Sequence, residues 1–97
     1  MTAYSILLHP DLVEKDLKIP DRKAAGRILN SIEIRLSSEP EKYGSPLRKS
    51  LKGYWKLRVG DRRIVFKIVK KEVWVFGVGH RRTIYDWITR RTAWSPR

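Results

Sequence analysis

The chain has 97 residues, 41% of them hydrophobic, with four Trp, four Tyr and two Phe, which is enough for one compact core and too little for two domains. Twenty-two Lys and Arg against ten Asp and Glu leave a net charge of +12; a chain this small repels itself at that charge, so the excess points to a nucleic acid, an anionic membrane surface or an acidic protein partner. The lack of Cys excludes disulfides, thiolate nucleophiles and cysteine metal sites.

His9 and His80 lie far apart and have no obvious carboxylate companions, so neither a metal nor a cofactor is expected. No apolar run approaches the ~20 residues of a membrane span. The opening "MTAYSILLHP" lacks the basic lead and cleavage pattern of a signal peptide. A soluble, cytoplasmic protein is expected.

"AYSILLH" (3–9) reads as a first strand. Pro10 then opens a short helix through "DLVEKDL", with Asp11 and Glu14 near its positive end. Asp21 is placed to cap a second helix, "DRKAAGRILNSIEIRLSS", in which Ala25, Ile28, Leu29, Ile32 and Leu36 form an apolar stripe. Pro40 closes that helix, and 39–52 reads as a loop. Three strands follow, 54–59, 62–70 and 73–79, joined by a Gly60-Asp61 turn and by "KKE" (70–72). Residues 83–91 suit a last short helix. The expected class is α+β: an N-terminal strand and two helices packed on one face of a four-stranded, mainly antiparallel sheet, then a short C-terminal helix. Residues 1–91 form one domain in this reading, and 92–97 a flexible tail.

A two-residue turn at Gly60-Asp61 fixes the register. Trp55, Leu57, Val59, Ile64, Phe66 and Ile68 then share a face that the helical stripe can cover. Tyr54, Lys56, Arg58, Arg63 and Lys67 share the other. Arg58 falls directly opposite Arg63, a like-charge pair that destabilises a sheet. A solvated surface would account for the alternation alone. No Asp or Glu joins this face, however, although a merely soluble face mixes signs. The next strand also delivers "GHRRTIY" (79–85) to the same edge. Two residues in the last turn would put His80 beside Arg63, and three would put Arg81 there. Lys56, Arg58, Arg63, Arg81 and Tyr85, with His80 as a further candidate, are groups suited to gripping a phosphate and moving protons around it. Trp74, Phe76 and Trp87 suit a core better than base stacking.

Three segments carry a resemblance: "HPDLVEKDLKIP" (9–20), "PLRKSLKGYWKLRVGDRRIVFKI" (46–68) and "VFGVGHRRTIY" (75–85). Together they resemble the RelE/ParE toxin superfamily, specifically the RelE-like mRNA interferases of type II toxin–antitoxin systems. The resemblance implies a ribosome-dependent endoribonuclease acting on mRNA in the decoding site, and a cognate antitoxin as partner. It assigns Lys56 and Arg58 to the family's two strand cations, Arg63 to its strand arginine, Arg81 to the arginine after the last strand and Tyr85 to its C-terminal tyrosine. Lys52, Lys67 and Arg82 are expected to contact RNA. Some members carry Lys where this chain has Arg58, and Arg cannot accept a proton.

RNA supplies its own nucleophile, the 2′-hydroxyl. The protein must align its attack on the adjacent phosphate, stabilise the added negative charge and move two protons, with no metal needed. Arg63 and Arg81 suit charge stabilisation; Lys56, His80 and Tyr85 remain alternatives for the proton transfers. Two rival readings stand beside this one. One is a ParE-like toxin that inhibits DNA gyrase without nuclease chemistry. The other is a basic nucleic-acid-binding module.

Overall fold

The computed structural model describes residues 3–96. Five strands form one sheet in the order β1-β5-β4-β3-β2. They are β1 (Ser5–Leu8), β2 (Ser45–Pro46), β3 (Trp55–Val59), β4 (Arg62–Val69) and β5 (Glu72–His80). The meander β3-β4-β5 is antiparallel, and β1 pairs parallel to β5 on its far side. The expected α+β class holds, with one strand more than expected: Ser45–Pro46, inside the segment read as a loop, pairs with Trp55 and Lys56. That segment also holds the helix α2 (Pro40–Tyr43) and a 3-10 turn, Lys49–Leu51. Pro40 therefore opens a helix, since a proline costs nothing at a first helical position.

The first helix is a single π-helical turn, Leu12–Asp16. The second, α1 (Arg22–Ser31), begins as expected at Asp21, whose Oδ1 accepts from the Ala24 N–H at 3.1 Å. It then widens into a π-helical turn over Ile32–Leu36. Ile28, Ile32 and Leu36 of the stripe are buried with Leu12, Leu57, Ile64, Phe66, Val73, Val75 and Val78. Leu29 is left 43% exposed, so the covered stripe is narrower than expected.

The opposite sheet face is not open to solvent throughout. Residues beyond β5 fold back over it as α3 (Ile84–Trp87) and a 3-10 turn, Ile88–Arg91. Ile84 and Ile88 bury Leu51, Val65 and Phe76 in a second core, with Tyr54, Trp74, Trp87 and Trp94 packed around them. Trp94 fell in the segment read as a flexible tail, yet its ring makes edge contacts with His9, Trp74 and Phe76 at centroid distances of 5.1, 6.3 and 5.4 Å. Burial, with a smaller contribution from the Arg91 charge, lowers the pKa of His9 beneath this ring. Arg97, the end of that segment, lies outside the described residues.

Two glycines of β5 let the second layer approach. A Cβ on Gly79 would lie 2.7 Å from Trp87 and 3.1 Å from Ile84, and one on Gly77 would lie 2.6 Å from Ile88. A buried ion pair closes this layer onto the rest: Arg91 donates to Asp16 through both nitrogens, at 2.6 and 2.9 Å. Removing one partner of such a pair costs about 3–5 kcal/mol.

The last hairpin turn is Lys70-Lys71, between the paired residues Val69 and Glu72. Lys70 takes φ 58 there, a left-handed conformation that costs a non-glycine residue about 1–2 kcal/mol. Lys70→Gly removes that strain but adds freedom to the unfolded chain. The expected net effect is a gain of about 0.5–1 kcal/mol, read as a higher midpoint in chemical denaturation.

Candidate nucleic-acid interface

The β3–β4 register is the one expected. Val59 faces Arg62, Arg58 faces Arg63, Leu57 faces Ile64, Lys56 faces Val65 and Trp55 faces Phe66. Gly60 opens the turn at φ 60, the first-position glycine of a hairpin turn that follows the strand twist. Lys56, Arg58 and Arg63 therefore do share the face away from α1. The ion pairs among the described residues are Lys15–Asp11, Lys42–Glu39 and Arg91–Asp16, none of which involves a cation of this face.

Arg63 is the most constrained of these cations. The residue is only 7% exposed, and its Nη1 donates to the carbonyls of Gly60 at 3.0 Å and Arg62 at 2.9 Å. Both acceptors belong to the turn or its flank, so the hairpin holds its own arginine. No buried side-chain nitrogen or oxygen among the described residues lacks a partner, so the remaining N–H groups of the guanidinium reach the surface. The Nη1 side of the fork is fixed by the hairpin, which leaves its other nitrogens available to phosphate oxygens.

Tyr85 sits at the second position of α3, 37% exposed. Burial of its ring raises the phenol pKa above the ordinary 10.0, and the nearby Arg63 charge pulls the other way but is the smaller influence. That electrostatic influence ties Tyr85 to Arg63. A phenol so raised keeps its proton at neutral pH, which makes it a donor and not a base.

His80 does not join this group. The expected alternatives placed either His80 or Arg81 beside Arg63; the residue there is Gly79. Two shifts combine: the turn falls at Lys70-Lys71, and a bulge intervenes, for Phe66 faces Val75 but Val65 faces Gly77, leaving Phe76 as an extra residue. One extra residue exchanges the two faces for everything beyond it. His80 thus faces Arg62 on the α1 side of the sheet and lines a cleft of about 170 Å³ with Asp21, Arg27, Asp61 and Arg62. Its Nδ1 accepts the Arg82 N–H at 3.2 Å. Arg81 continues the ladder, its N–H donating to the Asp61 carbonyl at 2.8 Å, which sets its backbone at the turn that holds Arg63.

Lys67 and Lys52 lie toward the other end of the hairpin. Lys67 faces Trp74 and holds its ammonium 5.4 Å from the Tyr54 ring centre. Lys52 and Arg82 are exposed. Lys67 is four strand residues from Arg63, or ~13 Å. Among the described residues no group of three or more His, Cys, Asp and Glu is placed to hold a metal ion. Among the described residues no helix is long and apolar enough to cross a membrane. Sequence reasoning missed the Asp16–Arg91 pair, since nothing local links two residues so far apart, and the carbonyl clamp on Arg63.

Residues 8–85 match the family model of the ParE toxin of type II toxin–antitoxin systems, parDE. Curated proteins gave no match. Among solved structures, the toxin–antitoxin complex RelBE2 from Mycobacterium tuberculosis matches at 29% identity and TM-score 0.72, covering 81% of this chain and 99% of that one. The RelB-RelE antitoxin–toxin complex from Methanococcus jannaschii matches at 26% identity and TM-score 0.58, covering 84% and 96%. A mutant of the E. coli toxin RelE in the free state shares the fold at 18% identity and TM-score 0.65, covering 93% and 98%. The chain belongs to the ParE toxin family of type II toxin–antitoxin systems, within the RelE/ParE superfamily.

Proposed function

We propose that this toxin is a ribosome-dependent endoribonuclease that cuts mRNA in the decoding site by attack of a 2′-hydroxyl on its neighbouring phosphate. The observation that carries the reading is the Arg63 guanidinium, clamped by the Gly60 and Arg62 carbonyls and within electrostatic reach of the Tyr85 phenol. A gyrase-directed binder needs the charge but not the phenol.

In this mechanism Arg63 and Arg81 hold the phosphate and take up the charge that develops on its oxygens, and Arg58 adds to the field. The 2′-hydroxyl loses its proton to Lys56 in its neutral amine form, the form in which a lysine can accept one. The new 2′-O–P bond forms as the P–O5′ bond breaks, and Tyr85 gives its proton to the departing 5′-oxygen. The products are a 2′,3′-cyclic phosphate and a 5′-hydroxyl, and one proton has passed in and one out. Lys52, Lys67 and Arg82 contact flanking phosphates. A chain with a net charge of +12 suits both ribosomal RNA and an acidic antitoxin, and a cognate antitoxin is the proposed regulator.

The family match to ParE toxins favours a second reading, a non-nuclease toxin directed at DNA gyrase. Expression of the chain without an antitoxin separates the two. Primer extension on a translated message should reveal discrete cuts within the reading frame. Intact messages together with gyrase-linked DNA breaks would overturn the nuclease reading.

A further inference from the structure

The buried Asp16–Arg91 pair has no part in the chemistry above. We propose that it is a latch that holds α3 on the sheet and thereby positions Tyr85 beside Arg63. Its kinetic consequence rests on the nuclease reading; its structural consequence does not.

β1 covers the outer edge of β5 only across Glu72–Val75. Beyond that, the Val78 N–H donates to Asp16 Oδ2 at 2.9 Å, so the carboxylate takes over where the strand stops. The same carboxylate receives both arms of Arg91, whose Nη1 also reaches the Phe76 carbonyl at 3.3 Å. Asp16 comes from the turn that packs with α1, and Arg91 from the layer on the other face. The pair therefore clips the two layers together across β5. Gly77 leaves room for it: a Cβ there would lie 3.0 Å from Arg91 Nη1 and 3.2 Å from Asp16 Oδ2. The Arg91 guanidinium also stacks 4.5 Å above the Trp87 ring centre, which connects the clip to α3 itself.

A four-residue helix cannot hold its own conformation in water, so its place depends on what anchors it. At its start Ile84 packs against Gly79, and at its end the chain is tied by Arg91. Tyr85 projects from between these anchors and is itself exposed, so its placement follows from theirs. Asp16 and Arg91 are positioning residues in this account, acting through Tyr85.

The test is a double-mutant cycle with the full-length chain. Asp16→Asn keeps the shape and loses the charge; Arg91→Lys keeps the charge and loses the two-pronged geometry. Each is placed in the parent and in Tyr85→Phe, and single-turnover RNA cleavage is measured. In the parent each change should slow cleavage by about 10- to 100-fold, the scale of a displaced catalytic group. Half-saturation should be unmoved, because Lys56, Arg58 and Arg63 are untouched. In Tyr85→Phe each should change the rate by no more than about twofold, since the group acted through is already gone. Equal losses in both backgrounds would mean a general structural role and would overturn the latch.

A second readout does not depend on activity. The Tyr85 phenol, labelled at the ring carbon bearing the hydroxyl, titrates above its ordinary value in the parent and should move back toward it in folded Arg91→Lys. An unmoved titration overturns the latch whether or not the chain cleaves RNA. A moved titration in a parent that cleaves nothing supports the latch and overturns the nuclease reading.

Discussion

Arg63→Ala is expected to lower single-turnover RNA cleavage by about 10²- to 10³-fold, the usual loss when a preorganised donor to a developing oxyanion is removed. The size follows from how the side chain is held. An exposed arginine samples many rotamers and must be ordered at each encounter. Arg63 is already ordered by two carbonyls of its own hairpin, so its ordering cost is met during folding. Arg63→Lys retains the charge but cannot hold the turn and a phosphate at once, so it should recover only a minor part of the rate. The same clamp predicts a loss of fold stability of about 1–3 kcal/mol in Arg63→Ala, from the partners left unsatisfied. Chemical denaturation measures that loss, and assay at temperatures where the variant remains folded separates the two effects. A cleavage rate within about threefold of the parent would remove Arg63 from the charge-stabilising role.

Tyr85→Phe is expected to slow cleavage by about 10²- to 10⁴-fold while leaving association intact. Only the hydroxyl is deleted, so the packing of α3 survives. The direction of the phenol's pKa shift accords with the proposed role of acid. Raised by burial above 10.0, it remains protonated across the neutral range, as the proposed acid must be. The rate carried by this acid should therefore persist as the pH rises through 9 and decline only above 10. A phenol acting as base would give the opposite slope, with cleavage increasing as the proton is lost. A pH–rate profile of the parent beside Tyr85→Phe checks both sign and size. A near-normal rate in Tyr85→Phe would leave the ring with a packing role alone.

Much of the hairpin was legible because its signals are local. Gly60-Asp61 sets a two-residue turn, and that turn alone determines that Arg58 faces Arg63 and that Lys56 shares their side. The stripe of Ile28, Ile32 and Leu36 was likewise readable from helical spacing. The position of His80 was not legible, because a glycine such as Gly77 marks either a bulge or a close approach and does not say which. Phe76 fits either face by hydrophobicity; it turns to the second core because Ile84, Ile88 and Trp94 wait there. The burial of Trp94 escaped the sequence because its partners Trp74 and Phe76 lie about 20 residues away in the chain, on a face for which no covering layer was expected. Asp16 reads as one more acidic residue of a short amphipathic turn until Arg91 and the Val78 N–H are seen around it. Gly77 and Gly79 are the trace such packing leaves in the sequence: two glycines within a strand mark where another layer comes close.

The account's central claim is that the Arg63 guanidinium and the phenol of Tyr85 act on one phosphate. The most direct measurement is the end-group chemistry of RNA cut by the purified chain on programmed ribosomes, with Arg63→Ala and Tyr85→Phe as parallel samples. The account predicts fragments ending in a 2′,3′-cyclic phosphate and beginning with a 5′-hydroxyl, formed by the parent in the absence of added metal and strongly reduced in both variants. Fragments beginning with a 5′-phosphate, or no cleavage by the parent with or without ribosomes, would contradict it.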